Sequence, residues 1–225
     1  MNESKPITAT ISAKTAAIGM QFAGDKNDLR PYIRGLHIAP CTGGGVNIFA
    51  MDGHRLFVHH QADGEASWPV TLRLTPLAVR ACQSAGRLNG FVRLQDNRLT
   101  VFSGIGLEKE VLFIQPGDGT IDGSYPSTAK VLPNMADYRP GLHTGVQLKY
   151  LIGLNALTDF KTELVHLYSH KTDKMAPVVA VGSSPDTCVL IMPIRDEHSP
   201  EQITRLLDKI KGPANVSPLV AQVAA

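Results

Sequence analysis

Apolar and polar positions follow one pattern three times along the chain: a short strand, one amphipathic helix, then three further strands. The middle copy shows it best. Val70 to Leu74 reads as a strand, and Thr75-Pro76 offers a hydroxyl cap followed by a proline suited to a first helical turn. Leu77, Ala78, Ala81, Cys82 and Ala85 share one face of the helix that follows, with Arg80, Gln83, Ser84 and Arg87 on the other. The helix ends near Gly86, and Phe91 to Leu94, Leu99 to Phe102 and Glu110 to Ile114 form a meander whose first turn is Asp96-Asn97.

The first copy predicts a strand near Ile7 to Ile11, a helix over Ala13 to Ala23, and strands at Tyr32 to Ile38, Val46 to Met51 and Leu56 to His60, with a turn at Gly43-Gly44-Gly45. The third predicts a strand at Thr144 to Leu148, a helix over Lys149 to Phe160, and strands at Leu164 to Ser169, Val178 to Val181 and Cys188 to Ile194. Gln115 to Leu142, rich in Gly, Pro and Asp, reads as a connector. Beyond the third copy, Ser199-Pro200 and Gln202 start a helix with Ile203, Leu206, Leu207 and Ile210 on one stripe, and Gly212-Pro213 stops it. A unit of one helix and four short strands cannot cover both its helix and its sheet, so units must pair as a helix layer on a sheet layer. With three units, either one is left with an exposed edge or it pairs with a neighbouring chain. The expected class is α+β.

A chain of 225 residues with 43% hydrophobic and 19% charged residues can build its own core. It contains no apolar run of the roughly 18 residues that cross a membrane, and MNESKPITAT lacks the apolar core of a leader, which predicts a cytoplasmic protein without a membrane partner. Cys41, Cys82 and Cys188 are widely spaced in apolar surroundings and read as buried free thiols. A net charge of +2 leaves a nucleic-acid partner open, since affinity for phosphate depends on where Lys and Arg cluster. His59 and His60 are adjacent on a strand and point to opposite faces, which disfavours a shared metal ion. There is no HExxH, GxSxG or GxxxxGK[ST] sequence, and no nucleophile accompanies Asp52 and His54. Neither an enzyme, a metal nor a cofactor is expected.

Three segments carry a resemblance to a known family. Arg30 to Val58 (RPYIRGLHIAPCTGGGVNIFAMDGHRLFV) looks like the second domain of the bacterial DNA polymerase III beta subunit, the beta sliding clamp, with the DGHRL segment intact at Asp52 to Leu56. Ile121 to Pro133 resembles the family's connector between its second and third domains, and Val189 to Arg195 (VLIMPIR) its closing strand. The likeness runs over about 5–196 and makes the chain similar to a shortened member, phage- or plasmid-encoded in kind. On this reading, 1–120 is a clamp domain of two units, 121–142 the connector, 143–196 half a clamp domain, and 197–225 a C-terminal helix and loose tail.

The resemblance implies a DNA-clamp fold with helices lining a ring and sheets outside. It also implies a processivity factor that encircles double-stranded DNA without reading its sequence. The family's ring holds twelve units, so three per chain implies a homotetramer, closed head to tail. DNA polymerase and the clamp loader would dock clamp-binding peptides in a hydrophobic pocket. Carried over by position, that pocket takes Ile33, Gly53, His54, Arg55 and Leu56 from the first unit and Pro126, Lys130 and Val131 from the connector. Leu190, Ile191, Met192, Pro193, Ile194 and Arg195 come from the closing strand. Ile33, Leu56, Val131 and Met192 would be walls, and Arg55 and Arg195 rim donors. Ser127-Thr128-Ala129 replaces bulkier aromatic and basic residues of the family, which bears on pocket width.

DNA contacts would fall to Lys14 and Lys26 with the first helix, Arg80 and Arg87 on the second, Lys149 and Lys161 about the third, and Arg30 and Tyr32 at the inner rim. Each feature also has a plainer reading: a tight turn at Asp52-Gly53, a core edge at Met192, solvated faces on the helices. The rival function is a clamp-like decoy that binds polymerase or loader peptides without encircling DNA.

Overall fold

The computed structural model of the chain describes residues 7–104, 110–157 and 164–194. The first unit comprises β1 (Ala9–Ser12), α1 (Ala13–Gly19) continued by a 3-10 turn (Met20–Phe22), a second 3-10 turn (Pro31–Ile33), β2 (Leu36–Pro40), β3 (Val46–Met51) and β4 (Arg55–Gln61). A two-residue strand, β5 (Glu65–Ala66), leads to the second unit: β6 (Val70–Leu72), α2 (Pro76–Gly86), β7 (Phe91–Gln95), β8 (Arg98–Phe102) and β9 (Val111–Ile114). The third unit holds β10 (Tyr138–Pro140), α3 (Leu148–Ile152) continued by a 3-10 turn (Gly153–Leu157), β11 (His166–His170), β12 (Val178–Val181) and β13 (Thr187–Ile191).

Local chemistry sets the boundaries of the middle unit. Thr75 caps α2 by accepting a hydrogen bond from the Ala78 N–H at 3.2 Å, with Pro76 next to it, as the sequence predicts. Asp96 and Asn97 have φ of 50° and 60°, the two positive values that a tight turn between twisted antiparallel strands requires. Ala78, Cys82 and Ala85 bury completely, whereas Leu77, at the margin of that stripe, is 61% exposed. The apolar face of α2 is therefore narrower than its sequence suggests.

The leading strands are exchanged between the first two units. β1 pairs with β7 of the second unit and β6 with β2 of the first, both antiparallel. One sheet has the order β5-β1-β7-β8-β9, and the other β10-β11-β12-β13-β4-β3-β2-β6. The longer sheet is continuous across the connector because β4 and β13, the closing strands of the first and third units, pair antiparallel from Arg55↔Ile191 to His59↔Thr187. One buried cluster joins both sheets to the helices, with Ile11 and Leu94 from the shorter sheet, Ile48, Phe57 and Ile191 from the longer, and Ala16 and Cys82 from the helices. A second, smaller cluster of Phe49, Leu56, Tyr138, Val179 and Leu190 lies on the opposite face of the longer sheet.

Three expectations are corrected. Thr144 to Leu148 is not a strand; β10 takes that place in the sheet, and a leading strand exchanged in the manner of β1 and β6 would need a sibling sheet that the described residues do not contain. Tyr32 to Ile38 starts as a 3-10 turn, because Pro31 fixes φ and donates no hydrogen bond, and the strand begins only at Leu36. Cys82 is buried, with its thiol pushed up to about 12 by burial, but Cys41 and Cys188 are only half-buried. The end of the third predicted helix and the helix at 199–211 fall outside the described residues.

Candidate functional site

The turn between β3 and β4 is built by Asp52. One oxygen of its carboxylate accepts the N–H groups of His54 and Arg55 at 2.9 and 2.8 Å, and the other holds the Arg55 guanidinium at 2.9 Å. Gly53 sits at φ +90°, a conformation that side-chain-bearing residues rarely adopt. The closing segment docks on this turn: the Met192 N–H donates to the His54 carbonyl at 2.8 Å, one step past the Arg55↔Ile191 pair. DGHRL and VLIMPIR, distant in sequence, thus meet at one seam through the Leu190↔Leu56 and Ile191↔Arg55 pairs.

Strand register sets the floor of a pocket. Met51 lies opposite Leu56, Leu56 opposite Leu190, and Leu190 opposite Val179, so all four project from one face in a row across four strands. Met192 and Pro177, each two residues along from this row, share that face. Val131, from the connector, closes one side. The result is an apolar cavity of about 120 Å³ lined by Met51, Gly53, His54, Arg55, Leu56, Val131, Pro177, Leu190 and Met192. It lies on the sheet face opposite the helices, and its volume suits the tip of an inserted peptide side chain better than a whole small-molecule ligand.

The connector reaches this face through Tyr125, whose ring stacks on His37 with centroids 4.4 Å apart and planes within 4°. His37 hydrogen-bonds Thr71 at 3.1 Å, and burial lowers its pKa to about 4, which keeps the ring neutral under the tyrosine.

Several residues assigned from sequence lie elsewhere. Ile33 is fully buried in the loop core against Gly24, and Ile191, on the opposite side of the strand from Leu190, points into the helix-side core. Pro126 and Lys130 are exposed beside Val131 without lining the cavity; Pro193 is buried and Ile194 is tied by its N–H to the Gly145 carbonyl. Arg55 is no free rim donor. Its guanidinium pairs with Asp52, donates to the Gln21 carbonyl, and sits 4.9 Å from the Phe22 ring and 5.3 Å from the Tyr150 ring, bracing the seam between first and third units. Arg195 lies outside the described residues. Met51 and Pro177 are additions; the cross-strand position of Met51 opposite Leu56 is the signal that could have identified it.

No protein-family model and no curated protein sequence matches the chain. Solved structures do. The sliding clamp (DNA polymerase III subunit beta) of Bartonella birtlesii bound to griselimycin superposes with a TM-score of 0.60 at 14% identity, over 87% of this chain and 68% of that one. The DNA polymerase III beta chain of Streptococcus pneumoniae gives 0.57 at 15% identity, over 87% and 66%, and the C. crescentus beta sliding clamp 0.58 at 14%, over 87% and 68%. The fold is that of a sliding clamp. The chain spans about two thirds of the length of these clamps.

In this clamp fold the helices share the face turned away from the pocket. α1 and α2 approach closely, for a Cβ at Gly86 would come within 2.8 Å of the Lys14 Cα. Lys14, Lys26, Arg80, Arg87 and Lys149 are all exposed. A groove of about 640 Å³ brings Lys26 and Arg80 together with Arg34 and Arg73, two arginines the sequence reading did not select. Arg34 also staples its loop by donating to the Asp28 carbonyl at 2.7 Å, and Arg30 is held by the Asp28 carboxylate at 2.9 Å beside Gly53. Tyr32 is half-buried in the 3-10 turn after Arg30, and Lys161 lies outside the described residues. Among the described residues no cluster of side chains suits a metal ion, and no helix is long and apolar enough to cross a membrane.

Proposed function

We propose that this chain is a sliding clamp, a non-catalytic processivity factor that encircles duplex DNA as a homo-oligomer and tethers a polymerase by a short peptide held in the Leu56–Met192 pocket. The observation that carries the reading is the convergence of three distant segments, Met51 to Leu56, Val131 and Pro177 to Met192, on one apolar cavity, in a chain whose fold matches clamps. A few desolvated anchors in such a cavity give affinity for a peptide, and the surrounding contacts exclude water. On the other face, exposed Lys and Arg offer phosphate contacts that attract a duplex without fixing its register, which sliding requires. The division into a two-unit domain at 1–120, a connector and a half domain at 143–196 belongs to the same reading. With three units per chain, four chains supply the twelve units of a full ring.

Loader-dependent loading on a circular plasmid tests it. The protein is expected to stay on the intact circle in high salt and to leave once the circle is cut. Binding of a polymerase tail peptide without any such retention would identify a decoy instead.

A further inference from the structure

A further cavity, of about 260 Å³, lies on the helix side of the longer sheet, over the seam where β4 meets β13. His59 of β4 lines it together with Thr187, which lies directly opposite on β13. Lys14 and Thr15 of α1 stand on one side, and Ser184, in the turn between β12 and β13, on another. That turn comes close to the helix side because residue 182 is glycine; a Cβ there would collide with the Leu157 carbonyl. Part of the lining is apolar, the rest is polar, and none of it is a carboxylate.

A relay of hydrogen bonds runs through the polar part. The Thr187 hydroxyl donates to the Ser184 Oγ at 3.2 Å, so its oxygen accepts from His59 Nδ1, 2.7 Å away. This selects the neutral His59 tautomer whose Nε2 lone pair meets the Thr15 hydroxyl at 3.5 Å. Donation ends at Ser184, whose own hydroxyl proton has no acceptor among the described residues. Lys14 forms no ion pair among them and reaches the same space. The cavity thus offers two unspent donors, one of them cationic.

We propose that this cavity binds a tetrahedral oxyanion of the phosphate class, as free phosphate or the terminal phosphate of a small monoester, on Lys14, Ser184 and the Thr15–His59–Thr187 relay. Such a group brings negative charge and several acceptors to a lining rich in donors and free of acids. The volume holds a phosphate with a compact substituent, not a phosphodiester with a sugar on either side. His59 makes the site pH-dependent. Burial holds its pKa below the ordinary histidine value; the Asp186 and Asp63 carboxylates oppose this, and His60 adds to it. Protonation puts a second donor on the ring, so that Nε2–H gives to the Thr15 oxygen and the Thr15 hydroxyl proton turns to the cavity. An anion therefore binds more tightly as pH falls through the titration of His59. Once bound, it ties α1 and β4 of the first unit to the β12–β13 turn of the third. The site stands without the ring or the peptide reading.

Histidine NMR on the full-length chain tests it. Sulfate is the probe, because its charge stays constant over the range, with chloride holding the ionic strength; His59→Gln identifies the His59 signal. That signal should move saturably with sulfate and with inorganic phosphate, and sulfate should bind about tenfold more tightly at about pH 5 than at about pH 8. Ser184→Ala with Thr187→Val removes two hydroxyls and keeps the volume at 187; it should abolish saturation while the other histidine signals stay in place. Lys14→Gln, at an exposed position, should weaken sulfate binding and carries the test alone if the double variant disturbs the other signals. A His59 signal that fails to saturate, equal affinity at both pH values, or undiminished binding in Lys14→Gln or in a folded double variant would overturn the site. A blunt duplex without terminal phosphates that moves the same signal saturably would reassign the cavity to duplex contact and overturn it as well.

Discussion

At Met192 the chain leaves a strand with its N–H bound to the His54 carbonyl and its side chain 42% exposed over the pocket floor. An unbranched thioether at such a point adapts to differently shaped partners. Replacing Met192 with glutamate removes an apolar anchor and places a charge where the peptide must desolvate. A loss of about 2 kcal/mol, roughly 30-fold in Kd, is expected for a labelled polymerase tail peptide by fluorescence anisotropy, with the oligomer's native mass unchanged. Equal affinity would remove Met192 from the site. The neighbouring residues show what a sequence can convey. Strand alternation by itself separates Leu190, on the pocket face, from Ile191, in the core, yet carrying a whole motif across assigned both. Arg55 was legible as important but not in its role: its partners Gln21, Phe22 and Tyr150 are remote in sequence, and nothing local announces them.

Among the elements, those with local punctuation were legible. The Thr75 cap, the Gly86 stop and the Asp96-Asn97 turn all fall where the residues indicate, since each depends on neighbours within a few positions. The exchange of β1 and β6 between units depends on pairing across more than thirty positions, and the hydrophobic pattern is the same whichever sheet receives the strand. The groove beside α2 was half legible: Arg80 shows on its exposed helix face, while Arg73 and Arg34 join it only through tertiary folding. Arg73→Gln with Arg80→Gln should weaken binding to duplex DNA uniformly across sequences and flatten the dependence of log affinity on log salt by about 1.8, two phosphate contacts at about 0.9 each. An unchanged slope would place the DNA elsewhere.

For the whole molecule, the count of units matters most. Three units give one satisfied seam at β4 and β13, one open closing strand at β9, and a third unit without a sibling to exchange strands with among the described residues. In the proposed function, other copies of the chain complete its open sheet edges. Its likeness to clamps fixes the fold at 14–15% identity, while the peptide, duplex and ring are proposed from the placement of particular side chains and the count of units. Electron microscopy of the full-length assembly addresses the enclosing of DNA most directly. A closed ring is expected, its helix face lining a central opening that admits a B-form duplex; a particle with no such opening would contradict the proposed function.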